Sequence, residues 1–314
     1  MTISVTLPPV LAQSQCPVFA ADHKTHLAEK TFVVSTVAGL QGAMADVNRG
    51  LGTQILLARG IYTLNETLTV RQRGVTIRSE SGNRDDVTLR GKSMRDGVKQ
   101  IVVVEAADFT LADLTIGWAR QHAVQVRGEM DADRPRFLNL RFADAGRQLL
   151  DVSWGDDHAK PKSDQGLVEG CLFEFTDGVA PNNYVGGIDA RGTQGWLVRG
   201  NIFRGVRSPE QRLAKPAILF WYDAAHTVVE RNIIYGSDRG IGLGLGDKGH
   251  IGGIIRNNMV QTVRDVGIGL EGSGGTLVAN NTVLTSGYPN AVELRFEDTR
   301  DGIVQNNLAN AAIK

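Results

Sequence analysis

An all-β solenoid is the fold class this sequence predicts, and three observations carry the prediction. The first is a degenerate repeat with a period of about 23 to 31 residues in the second half of the chain. It reads Val198-Arg199-Gly200-Asn201-Ile202, Val229-Glu230-Arg231-Asn232-Ile233, Ile255-Arg256-Asn257-Asn258-Met259, Val278-Ala279-Asn280-Asn281-Thr282 and Val304-Gln305-Asn306-Asn307-Leu308. An apolar, polar, polar, Asn, mostly apolar pattern at this period marks stacked coils around one continuous core. The second is composition: 37 glycines and only 6% aromatic residues fit many short strands joined by tight turns. The third is a set of seven segments that align by hand: Val124–Arg127, Leu150–Ser153, Ile188–Arg191, Ile218–Trp221, Ile241–Gly244, Ile268–Glu271 and Val292–Arg295. Their first and third residues are apolar in every row. Period-2 alternation puts those two inside and the second and fourth outside.

Taken in chain order, residues 1–34 show no period and read as an irregular leader, with residues 35–314 as a single solenoid domain. Ser35 to Asn48 predicts a short amphipathic helix, with Leu40, Met44 and Val47 on one face and Ser35 or Thr36 as its cap. Such a helix would plug the first coil, which otherwise exposes core and strand edge. Strand signals follow at Ile55–Leu57, Leu68–Val70, Val75–Ile77, Val87–Leu89 and Ile101–Val104. The stretch GIGLGLG after Arg239 reads as a strand, because no helix and no P-loop lysine follow it. The repeated asparagines read either as ligand-binding amides or as an internal ladder satisfying buried turn groups. Cys171 takes the same place in its coil, as a buried thiol. The chain stops at AAIK directly after the Asn307 coil with no visible cap. Truncation, an unrecognised cap or an oligomeric contact through that end would account for this.

Composition bounds the partners. Lys plus Arg and Asp plus Glu are equal at 34 each, so no basic surplus points to nucleic acid and no polybasic run to a membrane surface. No apolar stretch approaches a membrane span. Two cysteines, Cys16 and Cys171, make no disulfide framework. The opening MTISVTLPPVLAQSQCP lacks a charged n-region; either an export signal has been removed or the protein is intracellular.

The run QILLARGIYTLNETLTVRQRGVTIRSESGNRDDVTLRG resembles the opening coils of right-handed parallel β-helix proteins of the pectate-lyase-like superfamily. The resemblance covers about residues 35–314, and the segments GGIDARG, AILFWYD, VVERNII and DRGIGLGLG resemble bacterial proteins of this architecture. It sharpens the expected fold to a right-handed parallel β-helix with a short N-terminal capping helix. It also implies a secreted or periplasmic protein acting on an acidic polysaccharide.

Reading the outward columns locates the candidate chemistry. Asp151 and Asp189 fall on successive coils, about 4.8 Å apart. Carboxylates this close repel, so one pKa rises or a cation sits between them. Ca²⁺ is the cation such oxygens suit, with Asp157 of the polar loop Ser153–Gln165 beside them. Arg191 and Trp221 lie alongside, a combination fitted to an anionic sugar: arginine on its carboxylate, indole on its ring. The alternative is a solvated pair bridged by Arg127 and Arg191. Further along, Glu271 and Arg295 align, either as sugar contacts or as a surface ion pair. Gly242, Gly244, Gly267 and Gly269 predict either an open floor or close packing under a covering loop. Arg207, Arg212 and Lys215 sit on the long turn 205–216, placed to overhang Asp189.

The resemblance implies β-elimination in the groove outside the β-helix. In that reading Asp151, Asp189 and Asp157 hold the cation, Lys162 or Arg191 is the base with Lys215 next, and His158 is the acid. Trp221, Arg127, Arg207, Glu271 and Arg295 contact substrate. The alternatives are a glycoside hydrolase, a uronate epimerase, and a non-catalytic carbohydrate-binding or structural β-helix.

Overall fold

A computed structural model describes residues 30–155, 159–176 and 180–314. Three parallel sheets wrap the chain, the first of 11 strands and the second and third of 10 each. One coil contributes a strand to each sheet in turn, for example Leu197–Arg199, Ile202–Arg204 and Ile218–Trp221. A small three-stranded sheet of Ala224–Ala225, His250–Ile251 and Ser273–Gly274 lines a further turn. The first strand is Thr31–Val34, paired in register with Gln54–Leu57. The solenoid thus extends into the stretch expected to be irregular, and Gly60–Thr63 is a further strand the sequence signals passed over.

The helix spans Val37–Asn48, and the Thr36 hydroxyl accepts from Gly39 N at 3.0 Å. Its buried side chains Leu40, Ala43, Met44 and Val47 close the first coil. Inward positions stack like on like from coil to coil. Phe142, Phe173 and Phe203 lie in register on the second sheet, their rings 4.5 and 4.4 Å apart and tilted by 8°. Among the described residues no helix is long and apolar enough to cross a membrane. In the last coil Ile303, Leu308 and Ile313 are exposed.

Two residues join the first sheet to the second in the repeated coils, and they do different jobs. The leading residue is left-handed: Gly170, Gly200, Arg231, Asn257, Asn280 and Asn306 all have φ between 54° and 65°. Glycine and asparagine tolerate that region best. The following residue points inward and builds a ladder. Asn201 Nδ2 donates to Asn232 Oδ1, Asn232 Nδ2 to Asn258 Oδ1 and Asn258 Nδ2 to Asn281 Oδ1, each at 3.0 Å, and Asn281 Nδ2 to Asn307 Oδ1 at 2.9 Å. Each amide also bonds a carbonyl of the preceding coil, such as Val198 O or Val229 O at 3.0 and 2.9 Å. Cys171 ends the ladder: its backbone N donates to Asn201 Oδ1 at 2.8 Å, and burial pushes its thiol up to about 12. The internal-ladder reading is the one the structure takes.

Candidate functional site

The seven hand-aligned rows pair in that register on the third sheet. Gln125 lies beside Asp151, Asp151 beside Asp189, Asp189 beside Leu219, and Arg191 beside Trp221. Gly242, Gly269 and Glu293 continue the column. The column points away from the core, yet much of it is covered. A Cβ on Gly242 would come within 3.1 Å of Pro216 Cγ, and one on Gly244 (φ +82°) within 1.7 Å of Glu271 O. The glycine stretch is close-packed backbone rather than an open floor.

Asp151 and Asp189 are only 6% and 5% exposed. Asp151 accepts from Gln125 Nε2 at 2.9 Å, and Asp189 from Trp221 Nε1 at 2.7 Å and Gln148 Nε2 at 3.2 Å. Burial pushes both carboxyls above the ordinary range, and the charge of Asp151 adds to the rise at Asp189; Trp221, Lys215 and Arg191 oppose it there. His122 bonds Gln148 O at 3.3 Å. A carbonyl only accepts, so His122 Nδ1 carries the proton, and burial lowers its pKa to about 4. These surroundings do not fit a Ca²⁺ cage. N–H donors occupy Asp151 Oδ2 and both Asp189 oxygens, Arg191 and Lys215 add positive charge nearby, and Ca²⁺ wants six to eight oxygens. Among the described residues no group of three or more His, Cys, Asp or Glu could hold a metal. Asp157 and His158 lie outside the described residues.

The 205–216 turn brings Lys215 to this pair. Lys215 Nζ stands 5.1 Å from the centroid of the Trp221 ring whose N–H holds Asp189. Burial pulls its pKa below the usual lysine range; Asp189 opposes the shift, and Arg239 and Arg191 deepen it. The turn is clamped from later coils. Asp238 Oδ2 accepts from Ser208 N and Ala214 N at 2.9 and 3.0 Å and from Arg264 Nη1 at 3.2 Å. Arg264 Nη2 in turn donates to Glu210 O and Gln211 O at 3.0 and 2.6 Å. A cavity of about 440 Å³ opens beside Lys215, lined also by Tyr184, Arg212 and Arg239. Tyr184 is 57% exposed. Arg239 Nε is 3.3 Å from Asp265 Oδ2 but has no aligned hydrogen-bond acceptor, so that pair is a charge contact only.

The remaining expected site residues disperse. Lys162 is away from Asp189: its Nζ lies 4.7 Å from the Trp154 ring centroid and donates to Asp223 O at 3.3 Å. Arg127 is held by Glu105 and Glu129, both at 2.9 Å. Arg207 is exposed on the turn and, among the described residues, has no ion pair with Asp189. Arg295 does pair with Glu271 at 3.1 Å, inside a larger knot with Glu293 at 2.6 Å, Asp265 at 3.5 Å and the Tyr288 hydroxyl at 2.8 Å. Sequence reasoning missed Gln148, Gln125 as a donor, Tyr184 and Arg239. Gln148 precedes the aligned Leu150–Ser153 segment by two residues; a wider alignment window would have found it.

No protein-family model and no curated protein sequence matches the chain. Solved structures do share its fold. An alginate lyase from Paenibacillus sp. str. FPU-7 is 17% identical with a TM-score of 0.55, over 90% of this chain and 99% of that one. The Dettilon tailspike protein is 13% identical with a TM-score of 0.56, over 81% of this chain and 52% of the tailspike. An endo-xylogalacturonan hydrolase from Aspergillus tubingensis is 11% identical with a TM-score of 0.50, over 90% and 93%. The chain therefore has the fold of the pectate-lyase-like right-handed β-helix proteins, a fold that the lyase and the hydrolase put to carbohydrate chemistry.

Proposed function

We propose that this protein is a polysaccharide lyase that cleaves an acidic, uronate-containing polysaccharide by β-elimination, with Lys215 as the base. The observation that carries the reading is Lys215 itself: a half-buried lysine beside arginines, at the mouth of a cavity shared with an exposed tyrosine. In the reaction the neutral Lys215 amine takes the C5 proton, the C4–O bond breaks, and a C4–C5 double bond forms. Arg212 and Arg191 neutralise the uronate carboxylate, favouring the enolate-like charge that develops there. The Tyr184 phenol returns a proton to the leaving oxygen. A lysine is a base only when its pKa is depressed, and burial supplies that here. An acidic polymer as substrate places the protein outside the cytoplasm, secreted or periplasmic.

Incubation with a panel of uronate polysaccharides, followed by ultraviolet absorbance of the unsaturated product, tests this. Lys215→Met should slow product formation by about 10²- to 10⁴-fold. Undiminished product from that variant would remove Lys215 from the mechanism. A second reading, glycoside hydrolysis, rests on the buried Asp151–Asp189 pair. Ladder neighbours stand about 4.8 Å apart, closer to the ~5–5.5 Å of a retaining pair than to an inverting one. New reducing ends without the absorbance would favour it. Neither signal on any polymer would leave a binding or structural β-helix.

A further inference from the structure

We propose that a row of ring-seated lysines running on from Lys215 is a binding track for a linear anionic glycan, with Lys248 and Lys162 each taking one acidic group of the chain. This rests on the acidic-polymer reading above and extends it beyond the reaction centre.

The row is built from three aromatic rings in edge-to-face contact. The Tyr222 ring stands 5.8 Å from Trp221 and 5.9 Å from Trp154, at 87° and 73°. A lysine sits over each ring: Lys215 over Trp221 at 5.1 Å, Lys248 over Tyr222 at 4.9 Å and Lys162 over Trp154 at 4.7 Å. Such a seat fixes an ammonium group without cancelling its charge. That separates these lysines from the cations of this chain that are locked onto carboxylates. Arg71, Arg134, Arg199 and Arg256, for example, each meet a carboxylate at 3.1 Å or closer. Lys162 donates instead to a backbone carbonyl, Asp223 O. Lys248 meets Asp247 only at 4.0 Å, a carboxylate whose side chain is 88% exposed. Neighbouring ring centres are 5.8 and 5.9 Å apart, so a linear chain of repeated acids engaged at Lys215 can go on to meet the ammonium groups of Lys248 and Lys162. Recognition along the row is by charge.

The test is calorimetric binding of oligosaccharides of increasing length to the full chain, using oligouronates and, separately, sulfated oligosaccharides. Lys162→Gln with Lys248→Gln should weaken a hexamer by about two- to thirty-fold, two surface ion contacts' worth. A dimer that reaches only Lys215 should bind as before, and Lys162→Arg with Lys248→Arg should restore most of the loss. Thermal unfolding checks that the glutamine variant is folded. Equal loss for dimer and hexamer, or none for either, overturns the track while leaving the lyase reading in place. Length-dependent loss with sulfated chains alone supports the track and removes the uronate substrate. If no anionic chain binds, both fail.

Discussion

Replacing Asn232 by alanine removes the middle rung of the amide ladder. The side chain is 1% exposed. Its Nδ2 donates to Val198 O and Asn258 Oδ1, and its Oδ1 accepts from the backbone N and Nδ2 of Asn201, all at 3.0 Å. After truncation Asn201 Nδ2 keeps Val168 O, and Asn258 Oδ1 keeps the Asn232 backbone N–H. The Asn201 backbone N–H loses its acceptor at a position closed to solvent. One orphaned buried donor costs ~1–3 kcal/mol and each of the three further lost bonds ~0.5–1.5 kcal/mol, so a destabilisation of about 3–7 kcal/mol is expected. Asn307→Ala is the control. Its amide is half-buried in the last coil, where water can substitute, and about 1 kcal/mol is expected. Urea denaturation followed by circular dichroism gives the ranking. Hydrogen exchange at the Asn201 amide reports the local opening without assuming all-or-none unfolding, which stacked coils need not obey. Equal losses for the two variants would show that the ladder fills space rather than holding the coils.

Two further outcomes follow from groups buried near and far from the site. Asp151 has a folded pKa raised above 3.8 by burial, so the folded chain holds this proton more tightly than the unfolded one. Stability therefore falls as pH climbs from the unfolded value through the folded one. Asp151→Asn, whose amide oxygen keeps the bond from Gln125, should match the parent in acid and exceed it at neutral pH by thermal melting. Parallel curves across the range would refute the shift. Cys171, in a background where Cys16 is serine, should resist iodoacetamide at pH 8 in the native protein and react on unfolding, because the thiolate is suppressed. Rapid labelling of native protein would contradict the burial.

How much was legible in the sequence depended on the kind of repeat. Alternation at period two fixed all seven rows of the third sheet, because a slip of one residue would turn Val124, Leu150 and Ile188 outward together. The doubled asparagines were visible, but not their division of labour: one answers a left-handed backbone, the other an inward amide chain, and both choose the same residue. Thr31–Val34 escaped because four residues give too short an alternation to read. At the site, periodicity could say that Asp151 and Asp189 leave the core. It could not say that they stay out of water. Their burial comes from non-repeating pieces: the turn that lays Pro216 over Gly242, and Gln148 reaching across a coil to Asp189. Lys162 and Lys215 looked alike as loop lysines, and only the turn's anchoring separates them.

That anchoring has a consequence for how such a groove is inherited and rebuilt. The segment 205–221 carries Lys215 and Trp221, but its shape is written by Asp238 and Arg264 on the two coils that follow. A single coil is therefore too small a cassette. Transplanted alone into another solenoid, the turn would arrive without its lock and its lysine would wander. The smallest portable module runs from 205 to 264, and recombination that cuts within it would keep the fold while losing the proposed site.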